Sequence, residues 1–143
     1  MNKPSEFIAF LRRNQPLPAD AQLTEADATT LDEAIRFFSQ NVDDACVALF
    51  CGVVGDVDGH GVYQLIEDAL RNQRRDLVVS KIRHALASPL RAVRFWALSH
   101  AGGLGLVELL PEMREHVADP DEEVREVAEL YVSVLEGLLD ATK

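Results

Sequence analysis

The chain of 143 residues is long enough for one domain with a sizeable core and short for two. With 48% hydrophobic and 27% charged residues, it has the composition of a folded globular protein rather than a disordered one. Its net charge of −10 opposes whole-molecule attraction to nucleic acid or an anionic membrane, and suits a basic partner.

In chain order, Ser5 is placed to cap a short helix carrying Phe7, Ile8, Phe10 and Leu11, and Pro16 and Pro18 mark a connector. Thr24 reads as the N-cap of a second helix with Leu31, Ile35 and Phe38 on one face. Asp43 and Asp44 precede an apolar helix over residues 45–54, expected to be buried on most sides. Gly55, Asp56, Asp58, Gly59 and Gly61 form a turn, and Val62, Leu65, Ile66, Ala69 and Leu70 lie on the helix that follows. Leu77, Val78, Ile82, Ala85 and Leu86 define the next.

Pro89 is expected in the first turn of a helix that buries Val93, Trp96, Ala97 and Ala101 and ends at Gly102 and Gly103. A helix bearing Leu106, Leu109, Leu110, Met113 and Val117 contains Pro111, which requires a bend or a late start. Asp119 and Glu122 resemble a capping box for the last helix, with Pro120 at its first position. Its apolar stripe is Val124, Val127, Ala128, Tyr131, Leu135 and Leu138.

Two of these helix openings are one pattern written twice. Pro89 and Pro120, Val93 and Val124, Arg94 and Arg125, and Ala97 and Ala128 are all 31 residues apart. One step upstream, Val62 and Ile66 keep the apolar positions, but Tyr63 replaces the arginine and Asp58 the proline. The preceding helices share the step, with Val47, Val78 and Leu109 in one register and Cys51, Ile82 and Met113 in another. Such a period denotes stacked helical units. The fold expected is all-α: a single domain over residues 1–143, a right-handed α-solenoid of about seven to eight helices. Residues 1–42 would cap three helical pairs over residues 43–143, the first pair degenerate.

The openings Pro-x-x-x-Val-Arg-x-x-Ala at Pro89 and Pro120 resemble HEAT repeats, particularly the short bacterial kind related to phycobilisome-lyase repeats. The resemblance implies that the proline starts the second helix of each pair, valine and alanine face the core, and the arginine braces the neighbouring repeat. Asp119 supplies the acidic residue common before the proline, and Ser88 departs from it. The stretch Val93 to Ala97 also resembles small stand-alone HEAT-like immunity proteins that accompany bacterial toxins. That implies a non-catalytic protein that binds a cognate toxin. A general HEAT-type adaptor or assembly factor is the alternative, and a HEAT-like nucleic-acid binder or enzyme the remote one.

No catalytic constellation is legible. HEAT-like iron enzymes use His-Glu dipeptides; among His60, His84, His100 and His116 none occurs, and zinc-ligand spacings are absent, so no metal or cofactor is expected. Cys46 and Cys51 lie in an apolar helix at a spacing that points them apart, which suits buried thiols in a reducing compartment. With no signal peptide and no membrane-length apolar run, the expected address is the cytoplasm.

Charge is the more useful signal. Between Arg71 and Arg94 seven basic residues (Arg71, Arg74, Arg75, Lys81, Arg83, Arg91, Arg94) face one acid, Asp76. From Glu112 to Asp140 ten acids face Arg114 and Arg125. Either run is a solvated face or a docking surface. The candidate partner-binding residues are Trp96, Arg91, Glu122, Glu123, Glu126 and Glu129, and Trp96 reads as a core residue first, with a partner anchor as the alternative.

Overall fold

The computed structural model describes residues 4–18, 22–55 and 62–141. Among them are eight α-helices, two short 3-10 turns and no strand. They divide into two compact units, Met1–Val78 and Val79–Lys143.

The first unit is built around phenylalanine. Helix α1 (Pro4–Arg13) buries Phe7, Phe10 and Leu11 on one face. It begins at Pro4, so Ser5 lies inside the helix and does not cap it. Thr24 does cap α2 (Glu25–Phe38), its side-chain oxygen accepting from the Asp27 N–H at 3.1 Å. Leu31, Ala34, Ile35 and Phe38 are buried, and Phe7, Phe37, Phe38 and Phe50 form a chain of tilted and edge-on rings with centroids 5.0–6.3 Å apart. Each such pair contributes about 0.5–1.5 kcal/mol beyond its buried area.

Helix α3 (Asp44–Gly52) is capped by Asp43 and buries Cys46, Val47 and Phe50. Ala45 and Ala48 are exposed, so it is covered on one side and not on most. Its apolar look comes from alanine, which tolerates water with little penalty. Helix α1 packs on α2 and α3, while α4 (Val62–Leu70) packs on α2 and α3 as well. Tyr63, Ile66, Ala69 and Leu70 are buried there and Leu65 is exposed. Of the expected glycine turn, only Gly55 falls within the described residues.

A buried amide closes this unit. The Gln73 side chain donates to the carbonyls of Phe38 (2.8 Å) and Asn41 (3.1 Å) and accepts from the Asp43 N–H (2.9 Å). Three backbone groups between α2 and α3 are thereby satisfied by one residue 30 or more positions away.

Helix α5 (Arg75–Leu86) runs from the first unit into the second, with Val78, Val79, Ile82 and Leu86 buried. In the second unit α6 (Arg91–Gly103) ends at the expected glycines, and Gly105 at φ +68° turns the chain. A 3-10 turn (Val107–Leu109) then leads into α7 (Leu110–Glu115). Pro111 falls in the first turn of α7, which resolves the sequence ambiguity in favour of a late start. Leu106, Leu109, Leu110 and Met113 are buried, but Val117 is exposed on the closing 3-10 turn His116–Ala118.

Helix α8 (Glu122–Ala141) packs along both α6 and α7. It buries Val124, Val127, Ala128, Val132 and Leu135; Tyr131 is half-buried and Leu138 is exposed. On α6 the fully covered residues are Ala97, Leu98 and Ala101, whereas Val93 and Trp96 are half-buried.

Candidate functional site

The residues that repeat in sequence repeat in hydrogen bonding. Arg94 donates through Nη1 to the carbonyls of Ser88 and Pro89, and Arg125 does the same to those of Asp119 and Pro120. Ser88 Oγ accepts from the Leu90 N–H, and Asp119 Oδ1 accepts from the Asp121 N–H. Each proline thus sits in a small side-chain-closed turn ahead of its helix, not in the first helical turn. Leu90 is the N-cap of α6, and Asp121, not Asp119, caps α8 by accepting from the Val124 N–H. Tyr63 stands where the arginine is missing, and its buried hydroxyl accepts from the Gly55 N–H. At Tyr63, Arg94 and Arg125, each 31 apart, one side chain thus bonds the backbone of the loop before its helix.

Arg94 does more than Arg125. Its Nε and Nη2 donate to both carboxylate oxygens of Asp119 at 2.9 and 3.1 Å, and His116 Nδ1 lies 2.8 Å from Asp119 Oδ2. The Asp119 side chain is 3% exposed and that of Arg94 13%. Burial alone would push the Asp119 carboxyl up. Hydrogen bonds from Arg94, the Asp121 N–H and His116 overcome it and hold the group well below the usual carboxylate range. An ionised carboxylate only accepts, so the His116 proton between them sits on Nδ1.

The basic stretch is largely neutralised within the protein. Arg71 pairs with Glu67 and Asp68, and Arg74 with Asp44 and Asp76. Arg83 pairs with Glu112, and Arg91 with Asp121 and Glu123. With Arg94, at least five of the seven cations therefore face carboxylates. Of the candidate binding residues, Arg91 and Glu123 are engaged with one another. Trp96 is half-buried, edge-on to Phe95 and 5.9 Å from the His100 ring. That leaves Glu122, Glu126 and Glu129, which are exposed and have no ion-pair partner among the described residues.

Register explains why these three are open. Arg91 at the start of α6 meets the start of α8, and Gly102 near its end lies against Tyr131, so α6 and α8 run parallel. The face of α6 turned to α8 is Arg91, Phe95, Leu98 and Gly102. The residues 31 further on are Glu122, Glu126, Glu129 and Ser133, all exposed. The positions that face α8 on α6 are thus filled by exposed carboxylates and serine at the matching register on α8.

Sequence reasoning missed a neighbouring feature: Leu130, Val134 and Leu138 are 56%, 49% and 46% exposed, at i, i+4 and i+8 on α8. Their spacing was visible, but a longer buried stripe on the same helix masked it.

Cys46 and Cys51 are not bridged, and the buried Cys46 thiol is pushed up to about 12, by burial first and then by the Asp43 carboxylate. Among the described residues no three His, Cys, Asp or Glu gather as metal ligands, and no helix is long and apolar enough to cross a membrane. His60 lies outside the described residues. No family model, curated protein or solved structure matches the chain.

Proposed function

We propose that this is a non-catalytic protein-binding protein of HEAT type, a right-handed solenoid working in the cytoplasm, and most concretely an immunity protein that neutralises a basic toxin domain. The repeated loop bonds and the parallel α6 and α8 support the repeat reading. The observation that carries the functional one is the row Glu122, Glu126 and Glu129: three exposed carboxylates at helical spacing with no cation paired to them among the described residues. In a chain of net charge −10, that row would speed encounter with a basic surface and orient it, and the bound helices would block the toxin's active site or substrate path.

Co-expression with the product of the adjacent reading frame, scored for survival and co-purification, tests this reading. Rescue that is weakened by Glu126→Lys with Glu129→Lys supports it; no rescue and no complex overturns it. Capture of a housekeeping complex without rescue would instead favour the adaptor reading. The intramolecular pairing of Arg71, Arg74, Arg83, Arg91 and Arg94 counts against a nucleic-acid binder.

A further inference from the structure

We infer that Leu130, Val134 and Leu138 form the docking strip for a basic amphipathic helix of the protein partner. The inference rests on the protein-binding reading and names the surface and the chemistry of its occupant.

The three side chains line one edge of α8 over about 12 Å at 1.5 Å per residue, with Val127 continuing the strip at its buried end. Three large apolar residues at i, i+4 and i+8 are the spacing that a helix laid in a groove or along a ridge reads. Glu126 lies one turn before Leu130, so the exposed row of Glu122, Glu126 and Glu129 leads into the strip along α8, and Asp140 lies at the strip's far end. An occupant therefore needs an apolar face for the leucines and valine, with lysine or arginine at the end that meets Glu126 and Glu129.

Charge complementarity decides among the occupants. A second copy of the chain also carries a net charge of −10, so pairing two copies along the strip would work against the mutual repulsion of two acidic molecules. An anionic lipid surface would be repelled by the same row. A basic helix satisfies both features at once: the apolar contact gives affinity and the carboxylates give orientation and encounter rate.

The test uses a synthetic helical peptide with leucine on one face and lysine on the other, and the same peptide with glutamate for lysine. Amide shifts of the labelled full chain are followed by NMR, with peptide anisotropy for affinity. The lysine peptide should bind, with shifts centred on residues 126–138, and the glutamate peptide should not. Leu130→Gln with Val134→Gln and Leu138→Gln should weaken binding about tenfold or more, while Leu130→Met, which keeps the apolar surface, should not. Glu126→Gln with Glu129→Gln should flatten the salt dependence. All five positions are exposed, and unchanged circular dichroism confirms that the variants fold.

Equal binding by the triple variant, or no binding of the lysine peptide, overturns the inference. So does a chain that is dimeric and becomes monomeric in the triple variant, since a second copy then occupies the strip. The two proposals fail separately. A cognate toxin held equally well by the triple variant would leave the functional reading standing and remove the strip. Peptide binding at the strip with no toxin rescue would do the reverse.

Discussion

Arg94 and Asp119 form a bidentate, nearly water-free ion pair that ties the start of α6 to the turn before α8. Both ends are further fixed: Arg94 by two carbonyls of its own loop, Asp119 by His116 and the Asp121 N–H. Removing one partner strands a buried charge. Arg94→Ala should lower unfolding stability by about 3–5 kcal/mol. The more exposed Arg91→Ala, which loses its pairs to Asp121 and Glu123, should cost about 0–1 kcal/mol. Urea midpoints of the two variants, at unchanged slope, check the contrast.

The same pair sets an acid sensitivity. The folded-state pKa of Asp119 is depressed, so its contribution is complete above the ordinary carboxylate value of about 4 and is lost as the pH falls below it. Asp121 is lowered too, first by the Val124 N–H, and acts in the same direction. Asp119→Asn should be less stable at neutral pH and should show a flatter loss of stability in acid. Denaturation midpoints measured between neutral pH and pH 3 should therefore converge; parallel curves would contradict the assignment.

Gly102 and Gly137 should respond oppositely to alanine. A Cβ at Gly102 would overlap the ring and Cβ of Tyr131, so α8 must shift, at about 1–3 kcal/mol. At Gly137 a Cβ meets nothing within 4 Å, and the exposed helix interior should gain about 0.5–1 kcal/mol. Thermal midpoints of Gly102→Ala and Gly137→Ala should move down and up respectively.

Tyr63→Phe leaves the buried Gly55 N–H without its acceptor and should cost about 1–3 kcal/mol. A neutral result would mean that the hydroxyl does not stand in for the repeat arginine.

How much of this was legible follows from what each residue must satisfy. Thr24, Pro111 and the glycines at 102 and 103 act on their own helix ends, and their spacing in sequence is their spacing in space. Pro89 and Pro120 mark helix starts correctly but one or two residues early, because Ser88 and Asp119 insert a side-chain turn first. Gln73 could not be read: a neutral amide between Asn72 and Arg74 looks solvated, and only the fold brings three backbone groups to it. Leu138 fits an apolar stripe by period, yet α8 outruns the elements that cover it, and periodicity reports a face without reporting a neighbour. At the candidate site, the acids were found by type, but their freedom depended on which carboxylates Arg91 and Arg94 had already taken.

The change from Arg91, Phe95 and Leu98 on α6 to Glu122, Glu126 and Glu129 on α8 also bears on how such a chain can lengthen. A tandem duplication of residues 88–118 would hand each new helix the apolar seat of the one before it, and the protein would grow from within. The same segment appended after α8 would meet three carboxylates where a leucine and a phenylalanine are needed.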